Sequence, residues 1–326
     1  MNIKKLPTSE LGFFPTPVTK LSQLSKALDS ADIFIKRDDL TGLALGGNKT
    51  RKLEYILGDA IANGCDAIIT SGASQSNHCR QTAAAAAQLD LECHLILGGE
   101  EPDVSNGNLL LDGLFGAHIH WAGANRKGED SDNLFDQLKA QNKTPYIVPY
   151  GGSNELGACG FVQAMQELDA QFDADQFSHI VFASSSGGTH AGCMVGKHLL
   201  KREYKLIGIN IDKDEIGDMS YRQSIVNLAN RTSALIEAGA NFSNEDVFLD
   251  DRYIGEGYGV VGELEREAVT LMARHEGILL DPVYTGRAMG GLISMLRNGE
   301  ISKPDKVLFW HTGGAPAVFA YADSLQ

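Results

Sequence analysis

Ile180-Val-Phe-Ala-Ser-Ser-Ser-Gly-Gly-Thr-His-Ala-Gly192 decides the fold class. The stretch opens on four apolar residues with no alternation, the pattern of a strand buried on both faces. It runs into Ala191–Leu200, whose apolar spacing is helical. Between the two lie three serines, two glycines and a threonine. Amides around Gly187 and Gly188 can converge on one anion. The hydroxyls of Ser185, Ser186 and Thr189 and the positive end of the helix favour the same anion. The stretch therefore reads as strand, phosphate cup and helix, although a plain capped turn uses the same residues. It lacks G-x-x-x-x-G-K-[ST], which argues against a magnesium-nucleotide loop.

Outward from this unit the pattern repeats. Strands are predicted at Ile33–Lys36, Ala67–Thr70, His94–Leu97, His118–Trp121, Tyr146–Pro149, Leu206–Ile211 and Val307–Trp310. Helical spacing fills Lys52–Ala62, Arg80–Leu89, Asn106–Phe115, Leu134–Ala140, Ala158–Leu168, Glu263–His275 and Gly286–Leu296. Such alternation predicts an α/β protein with open, mostly parallel sheets. A length of 326 residues suits about two domains. Glycines punctuate the strand ends at Gly46-Gly47, Gly72, Gly151-Gly152, Gly187-Gly188 and Gly313-Gly314. Ligands bind beyond the carboxyl ends of such strands, so one crevice built from several loops is expected.

Composition narrows the function. The net charge is −14, which argues against nucleic acid and against a polybasic membrane anchor. No apolar stretch approaches the ~18 residues of a membrane span. Five cysteines without a C-x-x-C pair give no zinc spacing and no disulfide framework. The first residues carry lysines but no apolar run, so no signal peptide is expected. A cytoplasmic location follows as an expectation. The N-x-[ST] triplets at Asn48, Asn142, Asn230 and Asn241 then read as chance matches.

Other loops carry candidate chemistry. In Leu45-Gly-Gly-Asn-Lys-Thr-Arg-Lys52, Lys49 stands at a helix start. A cation there opposes the helix dipole, which eases deprotonation and suits a Schiff-base lysine. Taken alone, the basic run with Arg51 and Lys52 reads as a solvated face. In Ser74-Gln-Ser-Asn-His78, polar groups crowd a helix N-terminus where a carboxylate could dock, or where Ser76 simply caps the helix. Tyr258 and Tyr284 sit among glycines, and Thr312 ends the last strand. Gly257-Tyr-Gly-Val-Val-Gly262 fits G-x-G-x-x-G, but the residues before it make a poor strand, which counts against nicotinamide binding. His118 and His120 would share one face of a strand and read as surface histidines rather than metal ligands. Glu265, Arg266 and Glu267 read as a solvated helix face.

Taken together, the motifs resemble the pyridoxal 5'-phosphate enzymes of fold type II. Among these the chain is similar to the D-cysteine desulfhydrase and aminocyclopropane carboxylate deaminase family. The resemblance runs from Pro15-Thr-Pro17 to Ala315-Pro-Ala-Val-Phe319. Its carrying motifs are Lys36-Arg-Asp-Asp39, Gly-Gly-Asn-Lys49-x-Arg-Lys, Gln75-Ser-Asn-His78, Gly-Gly-Thr-His-Ala-Gly192, Asp-Pro-Val-Tyr284-x-Gly and His311-Thr-Gly-Gly. It implies a tryptophan synthase β-like architecture with the site between two domains, 50–157 the smaller and 1–49 with 158–326 the larger. It implies that Lys49 holds the cofactor's aldehyde and that Ser185, Ser186, Gly187, Gly188 and Thr189 hold its phosphate. Asn77 would meet the ring's 3'-oxygen and Thr312 the ring nitrogen. Ser76, Asn77 and His78 would take a small amino-acid substrate, with Ser76, Tyr258 and Tyr284 near the reacting centre. A homodimer and a role in amino-acid metabolism are also implied. Deaminases of the family carry Glu where this chain has Thr285. A carboxylate keeps the ring nitrogen protonated, and a hydroxyl does not. That departure favours β-elimination of D-cysteine to pyruvate, ammonia and sulfide. Cysteate sulfo-lyase and cyclopropane deaminase chemistry are the alternatives within the family; a nicotinamide-dependent oxidoreductase is the alternative outside it.

Overall fold

The computed structural model describes residues 3–172, 176–212, 215–216 and 219–326. The larger sheet has the order β1-β2-β12-β7-β8-β11. Its strands are β1 Val18–Lys20, β2 Asp32–Arg37, β7 His179–Ser184, β8 Lys205–Asn210, β11 Leu249–Asp250 and β12 Lys306–His311. Only β1 runs antiparallel to its neighbour; the other pairings are parallel. The smaller sheet is wholly parallel, in the order β5-β4-β3-β6. It comprises β3 Ala67–Ala73, β4 Glu92–Gly98, β5 His118–Trp121 and β6 Pro145–Ile147. A two-residue ribbon, β9 Glu215–Ile216 and β10 Met219–Ser220, stands apart.

The helices are α1 Ser22–Ala27, α2 Lys49–Ala62, α3 Asn77–Gln88, α4 Gly107–Leu114, α5 Ser131–Ala140, α6 Glu155–Gln171, α7 Gly188–Leu200, α8 Tyr221–Leu235, α9 Glu263–Glu276, α10 Thr285–Arg297, α11 Ala317–Ala320 and α12 Ala322–Leu325. Period-2 alternation divides the strand side chains between two layers. Leu308, Trp310, Ile180 and Phe182 pack into one core with α6 and α7. Val307, Phe309, Val181, Ile33 and Ile35 pack into the other with α9 and α10. Burial of each such side chain is worth roughly 1.5–3 kcal/mol.

All eight predicted strands are present, and six of the eight predicted helices begin one to three residues earlier than their apolar spacing indicates, because their first turns are mostly polar or glycine. Ser76 caps α3 through its Oγ and the Cys79 amide, at 3.2 Å, and Asn154 caps α6 through Gly157 N at 2.8 Å. Helix α8 was not predicted: its buried face includes Thr232 and Ser233, which blur the apolar stripe. The short β1 and β11 draw their pairing from neighbouring strands rather than from local pattern.

Two readings are corrected. Arg51 and Lys52 are buried, not solvated. Arg51 donates to both oxygens of Asp38 at 2.8 Å and to both of Glu167 at 2.9 Å. Lys36 joins Glu167, and Trp310 Nε1 donates to Asp38 at 2.9 Å. Glu265 is also buried, accepting from Arg287 Nε at 2.6 Å and Gly262 N at 2.8 Å. His118 and His120 share a face, with His118 exposed as expected. His94 of β4 stacks on both, and its Nδ1 lies 3.0 Å from His120 Nε2.

Candidate active site

The carboxyl ends of β3, β7 and β12 open toward one cavity, as parallel sheets require. Asn48, Lys49, Ser76, Asn77, His78, Tyr150, Gly151, Ser184 to Gly187, Thr189, His190, Tyr284 and Thr312 line it. Strand β7 ends at Ser184, Gly187 adopts φ +84°, and α7 starts at Gly188. This left-handed turn, costly for any residue with a Cβ, aims the start of α7 at the cavity. Gly188 itself stands behind the wall and donates its amide to Ser153 Oγ at 3.1 Å. Ser153 donates to Ser186 Oγ at 2.8 Å. Thr189 Oγ1 accepts from Asn48 Nδ2 at 3.1 Å.

Lys49 begins α2 and points its Nζ at the Gly151 carbonyl, 3.0 Å away. Lys52, one turn on and on the same face, reaches the same carbonyl at 3.1 Å and Ser153 Oγ at 3.2 Å. Burial brings the Lys49 amine down to about 8. Burial also pulls the Lys52 amine well below the usual lysine value, and the neighbouring Lys49 charge adds to the effect. Neither amine has a carboxylate partner among the described residues. Two amines beside a helix N-terminus and three hydroxyl side chains make a donor set suited to an anion. A Cβ on Gly188 would fall 2.7 Å from Ser153 Oγ and 2.9 Å from Lys52 Nζ, so glycine leaves room for these two groups behind the cavity wall. The donor set fits an aldehyde-bearing phosphate: an amine easily freed of its proton, and an anion cradle in the same cavity.

Ser76 and His78 line the wall opposite. Thr70 Oγ1 gives its proton to the Val148 carbonyl at 2.8 Å, so it accepts from His78 Nε2–H at 2.8 Å. His78 Nδ1 is then a lone pair, buried and unpartnered among the described residues. Burial, with Lys49 and Lys52 beside it, keeps this imidazole neutral. Tyr284 caps the start of α10, and its hydroxyl lies 2.6 Å from that of Tyr258. Burial holds both phenols protonated at neutral pH. Arg126 from the smaller-sheet side stacks 4.3 Å over the Tyr258 ring and lies 3.6 Å from Asp212, which accepts from Ser185 Oγ at 3.2 Å.

Thr285 faces away from the cavity. Its hydroxyl donates to Asp281 Oδ1 at 2.7 Å, and Asp281 also accepts the amides of Val283, Tyr284 and Thr285. This carboxylate is committed to holding the turn before α10. Thr312 does line the cavity. The Gly257–Gly262 segment is not a strand-to-helix nucleotide turn. It follows irregular chain and gives its Gly257 and Val260 carbonyls to Arg287 at 3.0 and 2.8 Å.

Sequence reading missed Asn48, Lys52, Tyr150 and Arg126. Lys52 was legible as the i+3 neighbour of Lys49 on one helix face. Arg126 was not, because only folding brings it to Tyr258.

A model of the family described as "Pyridoxal-phosphate dependent enzyme" matches residues 10–313. The chain belongs to the pyridoxal-phosphate dependent enzyme family. It is 44% identical to a D-cysteine desulfhydrase of Klebsiella pneumoniae, over 98% of each chain. A solved structure of an ACC deaminase homologue superposes with TM-score 0.91 and 36% identity, covering 99% of this chain and 96% of the other. An L-serine ammonia-lyase from the fungus Rhizomucor miehei shares the fold at TM-score 0.67 and 18% identity, covering 95% of this chain and 96% of the other. Pyridoxal 5'-phosphate is the cofactor of this family, and the amine, cradle and hydroxyls fit it. Lys49 would hold its aldehyde carbon, with Lys52, Ser185, Ser186, Gly187 and Thr189 around its phosphate.

Proposed function

We propose that the protein is a D-cysteine desulfhydrase, converting D-cysteine and water to pyruvate, ammonia and hydrogen sulfide. When bound, pyridoxal phosphate supplies an electron-withdrawing ring joined to the substrate nitrogen, which acidifies the α-hydrogen and lets the β-substituent leave. Lys49 would hold the cofactor's aldehyde and, as a free amine with a pKa near 8, would be matched to accepting the α-proton at neutral pH. Ser76 and the first amides of α3 hold the substrate carboxylate at the positive end of that helix. The Tyr258–Tyr284 hydroxyl pair stands near the departing sulfur and can protonate it. His78 offers an acceptor on the same wall.

One observation favours elimination over ring opening. Thr312 lines the cavity and is the group we assign to the ring nitrogen, whereas Thr285 is turned away to Asp281. A hydroxyl leaves the ring nitrogen unprotonated, so the ring is a moderate electron sink, adequate for expelling a good leaving group. The 44% identity to a curated D-cysteine desulfhydrase supports the same reading. Pyruvate release from a panel of D-cysteine, L-cysteine, L-cysteate, D-serine and 1-aminocyclopropane-1-carboxylate tests it. D-Cysteine is expected to have the highest kcat/KM; a higher value for cysteate or the cyclopropane would overturn the assignment.

We also infer a cytoplasmic homodimer with residues 50–157 as the smaller domain. All five cysteines are free thiols, and no helix among the described residues is long and apolar enough to cross a membrane. Helix α4 packs on α11, and together they leave Leu110, Leu114 and Phe319 exposed, an apolar face suited to a second copy.

A further inference from the structure

Asn77 stands in the cavity wall with one end of its amide tied down. Its Oδ1 accepts from Arg80 Nη1 at 3.3 Å and from Asn108 Nδ2 at 2.9 Å. Asn108 takes Arg80 Nη1 on its own Oδ1 at 2.8 Å and gives Nδ2 to the Gln75 carbonyl at 2.8 Å. Arg80 also donates Nη2 to the Gly46 carbonyl at 2.7 Å, three residues before Lys49. Arg80 and Asn108 are both fully buried. Asp112 and Asp281 are the carboxylates acting on Arg80.

A guanidinium can only donate, and a backbone carbonyl can only accept. Those two ends fix the sense of every bond between them. Asn108 has to turn its Oδ1 to Arg80 and its Nδ2 to Gln75 and Asn77. Asn77 then has to turn its Oδ1 inward. Its Nδ2, which has no partner among the described residues, is left facing the cavity.

We propose that Arg80 and Asn108 are positioning residues that lock Asn77 as a hydrogen-bond donor toward the cofactor's 3'-oxygen. The proposal rests on the reading that Asn77 meets that oxygen. A donor there stabilises the oxygen as an anion, whereas an acceptor stabilises the neutral hydroxyl. A buried arginine outside the cavity thus sets the protonation preference of the ring through two amides. The same guanidinium anchors the Lys49 loop at Gly46, so the amine and the ring contact share one support.

Asn108→Asp tests this in the holoenzyme. It keeps the shape and the acceptor for Arg80 but sets an oxygen against the Gln75 carbonyl and Asn77 Oδ1, so that only the longer Arg80 Nη1 contact at 3.3 Å still holds Oδ1 inward and the Asn77 amide is biased to turn over. At fixed pH the long-wavelength absorption band of the bound cofactor should lose intensity to the short-wavelength band of the neutral 3'-hydroxyl. The dissociation constant for pyridoxal phosphate should rise about tenfold. Arg80→Lys, with one head in place of a fork, should move both readouts the same way, and it stands in should Asn108→Asp not fold. Asn77→Asp places an acceptor on the ring directly and separates the two readings. Bands altered by Asn77→Asp but unchanged in folded Asn108→Asp and Arg80→Lys would overturn the positioning role alone. Bands unchanged in all three would overturn the placement of Asn77 on the ring as well.

Discussion

Lys49 is chemically distinct because the folded chain strips water from its amine, which disfavours the charged form. Its pKa of about 8 lies below the usual lysine value, so below that pH it is protonated and unreactive, and above it the amine is free. In the apoprotein, reductive alkylation of Lys49 should therefore show a midpoint near pH 8, with surface lysines titrating near ~10.4. Lys49→Ala should abolish the Schiff-base absorption band, and a normal band in that variant would exclude Lys49 as the attachment point. Tyr284→Phe removes one hydroxyl of the 2.6 Å pair. We expect kcat to fall by about 10²-fold, in the range of lost acid–base groups, with KM changed only a few-fold. Steady-state kinetics with D-cysteine would show a raised KM at unchanged kcat if the tyrosine served binding alone.

At the scale of elements, α7 and α2 build the site by where they begin. Gly188→Ala would place a methyl 2.7 Å from Ser153 Oγ and 2.9 Å from Lys52 Nζ. Cofactor affinity should drop tenfold or more, about 1.4 kcal/mol, read by fluorescence titration while apoprotein stability changes little. Helix α2 is held by Arg51 between Asp38 and Glu167, with Lys36 alongside. Burial opposes the ionisation of Asp38 and Glu167, but the Arg51 charge and hydrogen bonds outweigh it, and both carboxyls titrate below their usual range. Their stabilisation is complete above the unfolded carboxyl pKa of about 4 and is lost as pH falls through the lower folded values. Arg51→Met should cost roughly 3–5 kcal/mol by leaving buried carboxylates uncompensated. Urea unfolding at pH 7 would measure it, and a cost under about 1 kcal/mol would mean that the network behaves as a surface pair.

Across the whole molecule, the loop after β5 reaches over the cavity to the other side. Arg126 meets Tyr258 and Asp212, both of which follow β8 in the chain. The contact closes the rim, and Arg126→Ala should raise KM for D-cysteine several-fold with a smaller change in kcat, since no hydroxyl of the tyrosine pair is removed. Leu110→Glu with Leu114→Glu should shift the sedimentation coefficient to that of a monomer; an unaltered coefficient would place the subunit interface elsewhere.

The amino-acid sequence determined the α/β alternation, eight of the strands and the Lys49, Ser76 and Ser185–Thr189 loops, because these rest on local rules. Strand burial, helix caps and glycine turns are written in consecutive residues. Tertiary structure alone decided that Arg51, Lys52 and Glu265 are buried, for a charge reads as solvent-facing until its partner is in place. Those partners lie 13 to 116 residues away in the Arg51 network and 22 away for Glu265. The orientation of the Asn77 amide likewise depends on Asn108, 31 residues distant. Local pattern cannot carry such information, since it is created only when separate segments close around one another and exclude water.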